Sequence, residues 1–312
     1  MTATPGPKAA PATSANAMRE GSSRPGLLYG LGAYAIWGFI PLYFRALAKV
    51  PPLIILCHRV FWCALFLAVL ISIRREWNSI WPMFRNRRKL LLLSAGAVLI
   101  ALNWLIFIYA VVARQVLQAS LGYFITPLLS IALGMLFLRE RLRGWQWLAV
   151  SVAAVGVANL ALRGSGLPWI AVSLAGSFSL YGLVRKKVDV NSLHGLLVET
   201  VILLPLALVV LAVLPAAKSA PATLGLLSLS GIVTAVPLLL FGVAVRLLKL
   251  STIGFLQYVG PTLQFLVAIF LFREPLDAAK LASFGLCWLG IAVYITESLL
   301  TRQPRAVADE LE

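Results

Sequence analysis

Two charged residues stand where charge is expensive. Arg59 and Glu199 each interrupt a long apolar run, about six residues in from its end. An ionised side chain at the centre of a membrane helix costs roughly 2.5–3.5 kcal/mol on insertion scales, so such residues face a partner or a polar cavity. The bland alternatives are that Arg59 snorkels to the interface and that Glu199 makes a structural hydrogen bond. Two amides, Asn103 and Gln257, pose the same problem in milder form and should also face the protein interior. Trp37, Tyr123 and Tyr258 add ring faces able to stack against a weakly charged solute. Trp104, Tyr109 and Tyr181 extend that set, the two tyrosines equally suited to an interface belt.

This is chemistry of binding rather than of reaction. No Gly-rich phosphate loop, nucleophile elbow or His/Cys cluster is visible, so the reading is of a non-enzyme without cofactor or metal. His58 and His194 read as interfacial or packing residues. Cys57, Cys63 and Cys287 lie in apolar stretches without metal-ligand spacing and read as small buried side chains.

The elements that hold these residues follow from composition. The chain has 312 residues, 61% hydrophobic and only 12% charged, about half the charge of a soluble domain. Its exterior must face lipid. Runs near 26–45, 53–73, 90–112, 116–138, 145–162, 167–184, 193–214, 223–245, 251–272 and 281–299 approach the ~20 apolar residues that a spanning helix needs. They do not alternate as barrel strands do. The fold class is therefore all-α and integral to the membrane, with ten transmembrane helices. The segment before residue 26 reads as a disordered tail rather than a cleaved signal. The loop 74–89 has room for a short interfacial helix whose apolar side Trp77 and Trp81 would suit.

The net charge of +16 comes from basic residues in short gaps, not from a nucleic-acid-binding face. Arg85, Arg87, Arg88 and Lys89, with Arg139, Arg141, Arg143, Arg185, Lys186 and Lys187, fall on one side if both termini are cytoplasmic. That bias orients the chain.

An internal repeat organises it. Residues 119–142 align with 253–276 so that Pro127 matches Pro261 and Arg139-Glu140 matches Arg273-Glu274. Gly156 and Gly290 continue the register. A repeat unit of five helices crosses the membrane an odd number of times, so two copies are inverted. The expected organisation is a tail over 1–25, one five-helix repeat over 26–163, its inverted mate over 164–300, and a tail over 301–312. Such pairs support alternating access around a midplane site. Pro127 and Pro261 are expected to kink their helices and to act as a related pair of hinges. Arg59 and Glu199 fall in the second helix of each half, each about 9 Å deep at 1.5 Å per residue. In a core about 30 Å thick, roughly 12 Å separates their depths, which a direct contact, a water or a polar solute could close.

The stretches AYAIWGFIPLYF (33–44), HRVFW (58–62), SLGYFITPLLSIALGMLFLRERL (120–142), LVETVILLP (197–205) and GFLQYVGPTLQFL (254–266) resemble the RarD group of the EamA-type drug/metabolite transporter superfamily. The likeness spans about residues 26–300. It implies a multi-pass bacterial inner-membrane permease with both termini cytoplasmic, and His58-Arg59 and the Glu199 motif match the group. Its chloramphenicol label implies small-molecule traffic without fixing a substrate. The resulting expectation is a secondary transporter of a small organic solute, drug or metabolite, in contact with the lipid bilayer and not with nucleic acid. Glu199 is the residue through which proton coupling would run. A non-transporting membrane scaffold or regulator is the alternative.

Overall fold

A computed structural model describes residues 23–138, 144–163, 168–188, 190–214, 221–247 and 256–300. Residues 1–22 and 301–312 of the expected tails, and the Arg139-Glu140 half of the repeated motif, lie outside the described residues, while residues 23–25 open the first helix instead of belonging to a tail.

The described residues form helices α1 (Ser23–Ala46), α2 (Pro52–Arg74), α3 (Trp77–Arg85), α4 (Arg87–Val112), α5 (Val116–Leu138), α6 (Gly144–Arg163), α7 (Trp169–Lys187), α8 (Ser192–Val213), α9 (Pro221–Leu247), α10 (Val259–Leu266) and α11 (Ala278–Leu300), with a π-helical turn over Val267–Leu271. Five of them, carrying the segments Arg24–Ala46, Pro52–Arg74, Arg87–Val112, Leu193–Val213 and Pro221–Phe241, are long and apolar enough to cross a bilayer; shorter apolar segments run through α5, α6, α7, α10 with the π turn, and α11.

Local signals set the helix starts. Pro52 opens α2, a position where the missing amide is no loss. Asn86 and Asn191 cap α4 and α8 by accepting from Lys89 N and Leu193 N, each at 3.0 Å. Asp277 caps α11 by accepting from Lys280 N at 2.7 Å, and that bond holds its carboxyl below the usual range. The cap of α5 comes from far away. Glu274 accepts from Val116 N at 2.8 Å and from Leu117 N at 2.9 Å, placing a carboxylate on the positive end of the helix. Burial pushes the Glu274 carboxyl up from its ordinary range, against the opposite pull of the two amides.

A short helix, α3, fills the loop expected over 74–89. Ile80 and Met83 are buried against the rest of the protein, while Trp77 and Trp81 are exposed on the outer surface, where rings can meet a membrane interface.

In the segment 251–272 the described part is helical at Leu256, turns at residues 257–258, resumes as α10 and ends in the π turn. Pro261 is the third residue of α10, and the interruption falls at the carbonyl four residues before it, where a proline ring breaks or kinks a helix. The Pro261 carbonyl accepts from Ser120 Oγ of α5 at 2.8 Å. Pro127 lies within α5, and its side chain is outside the described residues.

The packing crosses over between the two halves. Helix α1 lies against α9 and α10, while α7 lies against α4 and α5. Likewise α2 packs on α9 and α8 on α4. The pairs α2–α8 and α6–α11 join like with like. One buried apolar cluster runs through these contacts, including Phe44, Leu67, Ile108, Phe124, Leu174 and Phe284.

Candidate functional site

The site begins at a close approach of backbones. A Cβ on Gly231 of α9 would collide with the Trp62 carbonyl of α2, so glycine is what lets these helices touch. One turn further along α9, the Thr234 hydroxyl donates to Ser230 O at 2.7 Å and accepts from Arg59 Nε at 2.7 Å. Arg59 is only 5% exposed. Its guanidinium carbon stands 4.1 Å from the centre of the Trp104 ring and 5.5 Å from that of Phe44, a cation–π arrangement. Trp104 is thus the floor of the arginine site.

Glu199 is fully buried on α8. Tyr181 donates to its Oε2 at 3.0 Å, and Arg185 approaches its Oε1 at 3.4 Å, both from α7. On the third side, a Cβ on Gly96 of α4 would come within 2.9 Å of Glu199 Oε1. Gly96 thereby makes room for the carboxylate. Arg185, counted in the sequence among loop charges that set orientation, folds back along its helix to serve this pair.

Rings join the two centres. From Phe44 beside Arg59 the file continues to Phe107 at 6.0 Å, Tyr123 at 5.8 Å, Phe178 at 6.2 Å and Tyr181 at 6.1 Å between centroids. Tyr181 then reaches Glu199. Tyr123 also donates to Asn103 Oδ1 at 3.3 Å, while Asn103 Nδ2 donates to Leu174 O and Ser177 Oγ at 3.1 and 3.0 Å. The amide bonds on both its nitrogen and its oxygen, and it joins α4, α5 and α7.

The remaining candidates lie elsewhere. Trp37 packs with Tyr34 at 5.3 Å and Phe241 at 5.8 Å. Tyr258 stacks on Phe124 at 6.3 Å, and half-buried Gln257 sits beside it in the turn before α10. Arg59, Asn103, Tyr123 and Glu199 thus belong to one connected set; Trp37, Gln257 and Tyr258 flank α10 instead. Arg59 and Glu199 have separate partners rather than each other.

Several residues escaped sequence reading. Gln264 is 3% exposed, donates to Trp37 O at 3.0 Å and leaves Oε1 without a partner. As an amide in an apolar run it carried the same signal as Gln257. Thr234 carried none, because a threonine bonding its own helix is ordinary in such sequences. His194, read as an interfacial or packing residue, lies 2.7 Å from Glu76 Oε2 and ties α8 to the turn before α3. Among the described residues no group of three His, Cys, Asp or Glu side chains converges as metal ligands.

The comparisons with known proteins agree with this architecture. The model of the EamA-like transporter family matches residues 24–162. Protein RarD of Escherichia coli K12 is 45% identical over 90% of this chain and 97% of its own length. An uncharacterized transporter of Vibrio cholerae is 43% identical over 89% and 94%, respectively. The chloramphenicol-sensitive protein RarD of Pseudomonas aeruginosa is 31% identical over 91% and 98%. A solved crystal structure at 18% identity superposes with a TM-score of 0.60, covering 89% of this chain and 99% of its own, and shares the fold. The chain belongs to the RarD group of the EamA-like transporters.

Proposed function

We propose that this protein is a secondary carrier of a small organic solute across the bacterial inner membrane. Its ten helices form two inverted five-helix repeats that open the site alternately to either side, with both termini cytoplasmic. The observation that carries the reading is the connected file of rings between two buried charges, Arg59 and Glu199. It draws on helices of both halves. The crossed packing, α1 on α9 and α10 against α7 on α4 and α5, is the pattern that a two-fold axis in the membrane plane would give. A site between two such halves is where alternating access puts its substrate.

Flux into proteoliposomes over a panel of organic solutes tests the function. Solute movement above that of empty liposomes is expected; its absence across the panel would favour a scaffold role. Topology is tested on intact cells with single cysteines in a background lacking Cys57, Cys63 and Cys287. Asp277→Cys should react with an impermeant reagent and Ser79→Cys should not; the reverse pattern overturns the orientation.

A further inference from the structure

We infer that Arg59 is the anchor for a carboxylate, and that the solute is a monocarboxylate with an aromatic body. This rests on the transport reading above and names its substrate class.

The inference starts from an imbalance. A guanidinium carries five N–H donors. Thr234 takes the one on Nε, and Trp104 covers a face. Among the described residues nothing accepts from the two terminal nitrogens, and no carboxylate lies within ion-pair distance. The ionisable side chains that act on Arg59 electrostatically are Cys63, Tyr123 and Tyr43, all neutral at ordinary pH. These nitrogens are not among the fully buried atoms that lack a partner, so they keep a little accessible surface in a residue that is otherwise buried; a cation held there without a counter-charge calls for a reason.

Glu199 does not supply it. Its oxygens are engaged by Tyr181 and Arg185, so that centre is neutral as a pair. Arg59 is therefore a buried cation that has no charged partner among the described residues. The two free terminal nitrogens form the fork that a carboxylate fits bidentately. One cation without a second beside it suits a monoanion better than a phosphate dianion. Beside the guanidinium stands the ring of Phe44, with Phe107 and then Tyr123 packed behind it, so the wall next to the fork is mainly aromatic and suits an apolar body better than a sugar or a peptide.

The test is a matched pair of probes on the purified full-length protein in detergent. Thermal unfolding is followed with 3-phenylpropionate, its amide, and phenyl phosphate. The carboxylate should raise the melting temperature at a concentration at least about tenfold lower than the amide needs. Arg59→Lys should keep a weakened response and Arg59→Gln should lose it. Equal responses to acid and amide, no response to either, or a stronger response to phenyl phosphate would overturn the inference, and these are read on the wild type whether or not the variants fold. The same probes in the flux assay separate the two readings. If neutral solutes move and carboxylates neither move nor compete, transport stands and the anion site falls. If carboxylates bind through Arg59 and nothing moves, the anion site stands without transport.

Discussion

Helices α2 and α8 pack against each other, and each buries one charged side chain. They treat it in opposite ways. On α8, Glu199 is saturated by a phenol and a guanidinium that arrive together from α7. On α2, Arg59 receives one hydroxyl and two ring faces and keeps its terminal donors open. A saturated charge holds structure together. An open one is held in readiness, at the expense of stability. Burial alone, which the two share, does not separate these roles; the count of satisfied hydrogen bonds does.

The contrast yields a ranked set of outcomes. The largest effect should be on flux. Arg59→Gln should lower transport at least about tenfold, since even one lost charge-assisted bond is worth ~1.5 kcal/mol or more. Its unfolding temperature should hold or rise, because an unpaired buried charge has been removed. A fall in stability as large as that of Glu199→Ala would erase the distinction.

Glu199→Ala should in turn destabilise by about 3 kcal/mol in denaturant unfolding, the scale for stranding the other member of a buried pair; a change below about 1 kcal/mol would show that the pair is idle. Sharper still is the double cycle. Arg59→Gln and Glu199→Ala should add in stability to within about 0.5 kcal/mol, whereas Arg185→Ala with Glu199→Ala should not. Strong coupling of Arg59 to Glu199 would mean that the two centres meet, one of the alternatives that their depths in the sequence left open. Tyr181→Phe removes a single donor from Glu199 and should cost about 1 kcal/mol.

The smallest effect lies outside the membrane helices. Burial raises the Glu274 carboxyl, so the folded state favours its protonated form. Its contribution is fully present below the ordinary Glu range and is lost as pH rises through the raised value. The groups acting on it are Val116 N, Leu117 N, Lys280 and Arg45. Unfolding temperature measured across that window should show a shallow downward slope that Glu274→Gln removes. An unchanged slope in the variant would assign it to other carboxylates.

Much of the fold was legible because hydrophobic runs of spanning length admit few alternatives. Arg59, Glu199 and Asn103 were legible for the same reason: polarity in an apolar run is conspicuous. Their partners were not. Arg185 lies among basic residues at a helix end, which the inside-positive rule already explains. Thr234 and Gly231 are common in such helices, and only the approach of α9 to α2 gives them meaning. The interruption at 257–258 was legible as well, since it lies at the carbonyl four residues before Pro261, where a proline breaks or kinks a helix.

The cap on α5 has a consequence for the order of assembly. The acceptor Glu274 follows Val116 by 158 residues. At 5–20 residues per second, the ribosome needs about 8–30 s to make the chain between them. Throughout that time the first amides of α5 have no carboxylate on them. They are closed only when the segment before α11 arrives. A chain cut short before residue 274 would carry most of its helices and still leave this terminus open, a mark by which an incomplete product differs from a finished one.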